Sequence, residues 1–124
     1  MSTIKADNIA TLAGVSTSMA NAVNGSAKAW VNFNGTGTVA IRGSYNVSSI
    51  TDNGTGDYTV NLTNAMPDVN FSVCGSSNEW TNTFSGGQRV VNCCTPSSST
   101  VRLGITYQNG GVGDQPIVCV AVFR

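Results

Sequence analysis

The side chains with the most evident chemical capacity are four cysteines, Cys74, Cys93, Cys94 and Cys119, and the acids Asp52, Asp57, Asp68, Glu79 and Asp114. Their spacing argues against most reactions. A zinc site needs paired cysteines two to four residues apart, or histidine, and the chain offers neither. Nucleophilic catalysis through cysteine or serine lacks a histidine base. Glycoside hydrolysis requires two carboxyl groups facing one cleft, whereas these acids fall in turn-forming segments. Asp52-Asn53-Gly54-Thr55-Gly56-Asp57 carries oxygen ligands suited to calcium. The distal bidentate Glu of a helix-loop-helix calcium site is absent, with Thr63 and Asn64 near its place, and hairpin turns demand the same residues. The Gly-rich segments 34–37 and 109–113 are not followed by the Lys-Ser/Thr pair of a phosphate loop. The expectation is a protein that is not an enzyme and holds no metal and no cofactor.

Binding chemistry is better represented. The stretch 76–87 sets Trp80 and Phe84 among Asn78, Asn82 and several hydroxyls. Flat aromatic faces stack on sugar rings, and amides and hydroxyls bond their hydroxyl groups. The stretch 107–115 adds Gln108 and Asn109. Long loops on a compact scaffold commonly carry function, so Asn78, Trp80, Asn82, Phe84, Gln108 and Asn109 are the receptor or carbohydrate candidates. The competing reading folds Trp80 back as a plug over the core or over a subunit seam.

Composition narrows the partners. Only 10% of the 124 residues are charged, six basic and six acidic, while 14 are glycine. A cytoplasmic enzyme carries about a quarter charged residues. No basic surface points to nucleic acid, and no apolar run approaches the length of a membrane span. Met1 to Leu12 lacks the pattern of a signal peptide, so synthesis in a cytoplasm is expected, with the cysteines as buried thiols. Cys93 and Cys94, being adjacent, must point to opposite faces of a strand. A bridge from one of them to Cys74 or Cys119 would form only in air. The sequons Asn46-Val47-Ser48 and Asn61-Leu62-Thr63 have no meaning without secretion.

The elements that position these residues follow from period-two alternation. Ala29, Val31 and Phe33 share a face opposite Trp30 and Asn32, and Trp30 reads as a contact between subunits. Val39, Ile41, Tyr45 and Val47 share a face opposite Arg42, Ser44 and Asn46. Tyr58, Val60 and Leu62 point inward, as do Val69, Phe71 and Val73. Segments 88–95 and 100–107 read as a pair joined around Pro96 to Ser99, with Val101, Leu103, Ile105 and Tyr107 inward and Arg102 and Thr106 outward. Ile117 to Phe123 is apolar on both faces, so Val118, Val120 and Val122 are expected in a sandwich interior or at a subunit seam. About seven to nine such strands make an all-β chain, a small antiparallel β-sandwich or barrel-like domain over residues 27–124. Residues 1–26 form an N-terminal arm for attachment or trimerisation. Within it Val15 to Asn24 has helical spacing and Gly25 a stop signal, so Val15, Met19 and Val23 would pack against their copies in a trimer. The bland alternative is a frayed terminus.

The run AWVNFNGTGTVAIRGSYNVSSITDNGTGDYTVNLTNAMPDVNFSV, residues 29–73, closely resembles a module of bacteriophage tail-fibre and related virion proteins from phages of marine bacteria and cyanobacteria. The opening Ser2-Thr3-Ile4-Lys5-Ala6-Asp7-Asn8-Ile9 is similar to the start of many such proteins. The resemblance covers roughly residues 2–73. It implies a virion structural protein, a homotrimer serving host attachment, with no catalytic residue carried over. The partners it implies are copies of itself, other virion proteins through the N-terminal arm, and bacterial surface polysaccharide. A capsid-decorating or head-fibre protein without a receptor, or a carbohydrate-binding lectin-like module, are the alternatives.

Overall fold

Alternation becomes packing in four strands of the computed structural model, which describes residues 2–3, 5–79 and 89–124. These are β3 (Ala29–Asn34), β6 (Asp57–Leu62), β9 (Thr100–Tyr107) and β10 (Ile117–Phe123). Each sends three side chains into one core: Ala29, Val31 and Phe33; Tyr58, Val60 and Leu62; Val101, Leu103 and Ile105; Val118, Val120 and Val122. Met66 and Phe71 close one end of this core. Burying each large side chain contributes about 1.5–3 kcal/mol, so this layer dominates the stability.

Two antiparallel sheets face each other across the core. One has the order β4-β3-β10-β7, with β4 at Ala40–Tyr45 and β7 at Ser72–Asn78. The other has the order β5-β6-β9-β8, with β5 at Val47–Gly54 and β8 at Arg89–Ser97. The chain is thus an all-β antiparallel sandwich. The expected pairing of β8 with β9 is present, from Arg89 opposite Tyr107 to Ser97 opposite Thr100. At one edge Gly75 of β7 lies so close to β8 that a Cβ there would stand 2.7 Å from Val91 Cγ1 and 2.9 Å from Cys93 Sγ.

The other edge corrects the sequence reading. Segment 39–47 is not one strand, because the chain turns at Asn46, whose φ is 55°. Asparagine tolerates this left-handed conformation, and its amide satisfies backbone groups that the corner frees. Nδ2 donates to the Lys28 and Asn64 carbonyls, both at 3.1 Å, and Oδ1 accepts from Asn64 N at 2.8 Å. Val39 and Val47 pack on the core as expected. Ile41 and Tyr45 remain exposed, because β4 is an edge strand whose register with β3 shifts at Asn32 and Phe33. Tyr45 stands opposite Trp30 and shares its outward face.

Strand β10 is central, flanked by β3 and β7. Val118, Val120 and Val122 are therefore spent on the chain's own core, which removes them as seam residues. The outward side chains of that strand are Ile117, Cys119 and Ala121, all half-buried, and Phe123, which is exposed. The cysteines are a second correction. Cys74 and Cys94 are exposed and Cys93 and Cys119 half-buried, all as free thiols, because they sit on outward or edge positions. Cys93 and Cys94 do face opposite ways, Cys93 packing on the core. Burial, and then the neighbouring Cys94 and Cys74, push the Cys93 thiol up from its ordinary value.

The arm is a hairpin followed by a short helix. Strands β1 (Asn8–Ala10) and β2 (Ser16–Ser18) pair around a turn at Gly14, whose φ is 80°. Helix α1 spans Met19–Gly25, later than the expected Val15 start, because Ser16–Ser18 is committed to the hairpin and Ser18 serves as N-cap. The Ser18 hydroxyl accepts from Asn21 N at 3.1 Å, and Met19 N donates to the Asp7 carbonyl at 2.8 Å. Val15 therefore lies outside the helix, and with Val23 it is exposed, while Met19 is half-buried.

Candidate functional site

The two ends of the sandwich differ in kind. One end collects the Asn46 corner, the segment 63–71, the turn at Ser97 to Ser99 and the entry of the arm at Lys28. The other collects the loops after β3, β5 and β9, the end of β7 and the start of β8.

A polar network organises that second end. The buried Tyr58 hydroxyl donates to Asp114 Oδ1 at 2.6 Å and lies 2.8 Å from the Gly35 carbonyl. Asp114 Oδ1 also accepts from Gly56 N at 2.7 Å, so one carboxylate joins the β5–β6 turn to the loop before β10. Gly35 N donates to the Gln115 carbonyl at 2.9 Å, and Gln115 itself is 1% exposed. Its Nε2 donates to the Tyr107 hydroxyl at 3.3 Å. A Cβ on Gly113 would collide with that hydroxyl.

On this base Glu79, Arg89 and Tyr107 come together. Glu79 just after β7 and Arg89 at the start of β8 form an ion pair that joins the end of one strand to the start of the next. The Arg89 guanidinium sits over the Tyr107 ring, 5.4 Å from its centroid. Beyond Tyr107 the chain turns tightly: Tyr107 N donates to the Gly111 carbonyl at 2.7 Å, and Asn109 Oδ1 accepts from Gly111 N at 3.1 Å. The result is a hollow of about 410 Å³ lined by Arg89, Tyr107, Gln108 and Asn109. It presents an aromatic surface, two carboxamides and a guanidinium already matched by Glu79. These groups are able to hydrogen-bond a polar ligand and to pack against its apolar face.

Of the residues expected from sequence, Gln108 and Asn109 line this hollow, and Asn78 is exposed at the end of β7 opposite Ile117. Trp80, Asn82 and Phe84 lie outside the described residues. Trp30 is 44% exposed on the outer face of its sheet, its ring beside Gly43. Sequence reasoning missed Arg89, Tyr107 as its platform, and the Tyr58–Asp114 bond. Opposite charges at the two ends of one loop were the available signal for Glu79 and Arg89. Among the described residues no group of three acids or cysteines is placed to hold a metal ion.

Tyr58 makes the network sensitive to alkali. Burial, followed by its bond to Asp114, pushes the phenol well above its ordinary value of 10.0. The folded state therefore holds this proton where the unfolded chain has released it. Stability is fully present below pH 10 and falls as pH rises above it. Tyr58→Phe is expected to cost about 1–3 kcal/mol at neutral pH, since it strands a buried acceptor, and to flatten the alkaline fall. Urea midpoints of both chains between neutral and strongly alkaline pH check this. Parallel pH profiles would sink the assignment.

An antiparallel β-sandwich with a polar loop pole opposite its N-terminal arm is the class of protein that fold and site define. No family model, no curated protein and no solved structure matches the chain.

Proposed function

We propose that this chain is a bacteriophage virion protein, a short tail fibre or fibre tip. It assembles as a homotrimer, joins other virion proteins through its arm, and presents the loop pole to bacterial surface polysaccharide. Catalysis has no part in this reading. The observation that carries it is polarity: the arm enters at one end of the sandwich, and the hollow lined by Arg89, Tyr107, Gln108 and Asn109 lies at the other. A protein that anchors with one end and touches a surface with the other needs this arrangement. The arm adds support, because Ile9, Leu12, Val15 and Val23 are all exposed apolar side chains on it, which partner subunits or other virion proteins would cover. The resemblance over residues 2–73 supplies the particle.

Solution mass and cell binding test the reading together. The full chain is expected to scatter light as a trimer and the chain lacking residues 1–26 as a monomer. The double variant Gln108→Ala with Asn109→Ala should remain trimeric, yet lose at least about tenfold in retention on intact marine bacteria and cyanobacteria, since three weak sites act jointly. A monomeric full chain, or undiminished retention of the double variant on every strain, overturns it.

A further inference from the structure

The outer face of the β5-β6-β9-β8 sheet carries a glycine that the fold does not require. Gly35, Gly56, Gly75 and Gly113 each have atoms too close for a Cβ, and Gly14, Gly37, Gly54 and Gly110 adopt positive φ. Gly104, in the middle of β9, has neither: no atom lies within 4 Å of where its Cβ would stand, and its φ is ordinary. A glycine inside a strand weakens it, and one without a backbone reason marks a place where something approaches the main chain closely.

What surrounds Gly104 describes the visitor. Its cross-strand partners are Asp57 on β6 and Asn92 on β8. Arg102 precedes it by two residues and Thr106 follows by two, so both share its outward face. These side chains are held in fixed orientations. Arg102 Nε donates to Asp57 Oδ1 at 2.9 Å and Nη2 to Oδ2 at 2.5 Å, while Asn92 Nδ2 donates to Thr106 Oγ1 at 3.3 Å. Val112, 54% exposed and bridged to Thr106, adds an apolar wall. Asp57, Asn92, Arg102 and Val112, with Cys94 and the turn residues Thr55 and Gly56, line a hollow of about 390 Å³ that has Gly104 in its lining. That lies within the range of about 300–1,000 Å³ for small-molecule sites.

From this geometry we infer that the Gly104 hollow is a saccharide-binding site, distinct from the hollow lined by Arg89, Tyr107, Gln108 and Asn109, that takes a neutral disaccharide. Asp57 and Arg102 cancel in charge and the rest of the rim is uncharged, so a charged ligand gains nothing there. Paired donors and acceptors at fixed spacing match the vicinal hydroxyls of a sugar ring. The bare backbone and Val112 receive its C–H face. A site of this kind stands whether or not the chain belongs to a virion.

The test uses the full chain and three neutral probes, maltose, cellobiose and N,N′-diacetylchitobiose, with backbone amide NMR shifts as readout. At least one probe is expected to shift the amides of Asp57, Asn92 and Arg102 to Thr106, with a Kd of about 1 mM. Gly104→Val puts a branched side chain into the hollow from a Cβ position that has no atom within 4 Å, and β-branched side chains suit strands, so its melting temperature should not fall. It should weaken binding at least about tenfold. Asn92→Ala, at an exposed rim position, should weaken it too and serves if the valine variant does not fold. The double variant Gln108→Ala with Asn109→Ala should leave it unchanged, which separates this site from the Arg89–Tyr107 hollow. The inference is overturned if no probe shifts these amides. It is equally overturned if the shifts persist in both hollow variants, or if they appear on raising protein concentration without sugar, which would mean that a second copy occupies the hollow.

Discussion

Replacing Phe33 with alanine is expected to destabilise the chain by about 3–5 kcal/mol, the usual cost of emptying a large aromatic site. Phe33 is fully buried in β3, and its ring meets Tyr58 edge-on with centroids 5.3 Å apart and planes at 72°. Because β3 and β6 belong to different sheets, this contact spans the layer between them. The substitution therefore opens a cavity between the sheets and also removes an aromatic pair that contributes about 0.5–1.5 kcal/mol beyond its area. Domains of this size have about 5–15 kcal/mol in total, so the variant should sit near the edge of folding. Urea unfolding followed by circular dichroism measures the loss. A cost under about 1 kcal/mol would mean that the sheets close over the gap and that Phe33 is not the centre of the core.

Gly56→Ala should be comparably severe for a different reason. Gly56 has φ 67°, and a Cβ there would stand 2.9 Å from the Ile105 carbonyl oxygen and 3.0 Å from Gly113 N. All the obstructing atoms are backbone, which cannot swing aside. Left-handed conformation alone costs a non-glycine residue about 1 kcal/mol or more, and displacing the main chain adds to it, so a loss of about 3 kcal/mol is expected. The displacement would also pull Gly56 N from Asp114 and so disturb the Tyr58 network. Gly37→Ala is the control: φ is 60° but no atom lies within 4 Å, so only the conformational cost applies. Thermal melts of the two variants should differ by roughly 4–8 °C for each kcal/mol separating them. Equal melting temperatures would show that the close packing at Gly56 is relieved without cost.

Three classes of feature separate by how local they are. Facing was legible, because the pleat ties side-chain direction to sequence position: in β3, β6 and β9 the residues marked inward by alternation are the buried ones, except Tyr107 at the end of β9, which is half-buried. Turn chemistry was legible in part. Asp52 to Asp57 is the β5–β6 hairpin turn with its preceding residues, but Asn46 was read as a strand residue and forms the corner between sheets. A single asparagine carries too weak a local signal, and the bonds that hold it come from Lys28 and Asn64, far along the chain. The candidate site was legible in its loops and not in its floor. Gln108 and Asn109 were marked by composition, whereas Arg89 over Tyr107 and Tyr58 on Asp114 join strands whose adjacency no local pattern states.

By itself the sequence determined that the chain is all-β, which side chains of β3, β6 and most of β9 turn inward, and where most of the turns fall, since each depends on residues a few positions apart. The tertiary structure alone decided the rest. It set β10 between β3 and β7, so that Val118, Val120 and Val122 fill the chain's own core. It left Ile41 and Tyr45 outside despite their apolar alternation, because β4 became an edge, and it surrounded Gly104 with Asp57 and Asn92. Strand order and register are chosen by which pairing buries the most apolar surface across the whole chain, and that choice is not written in any one segment.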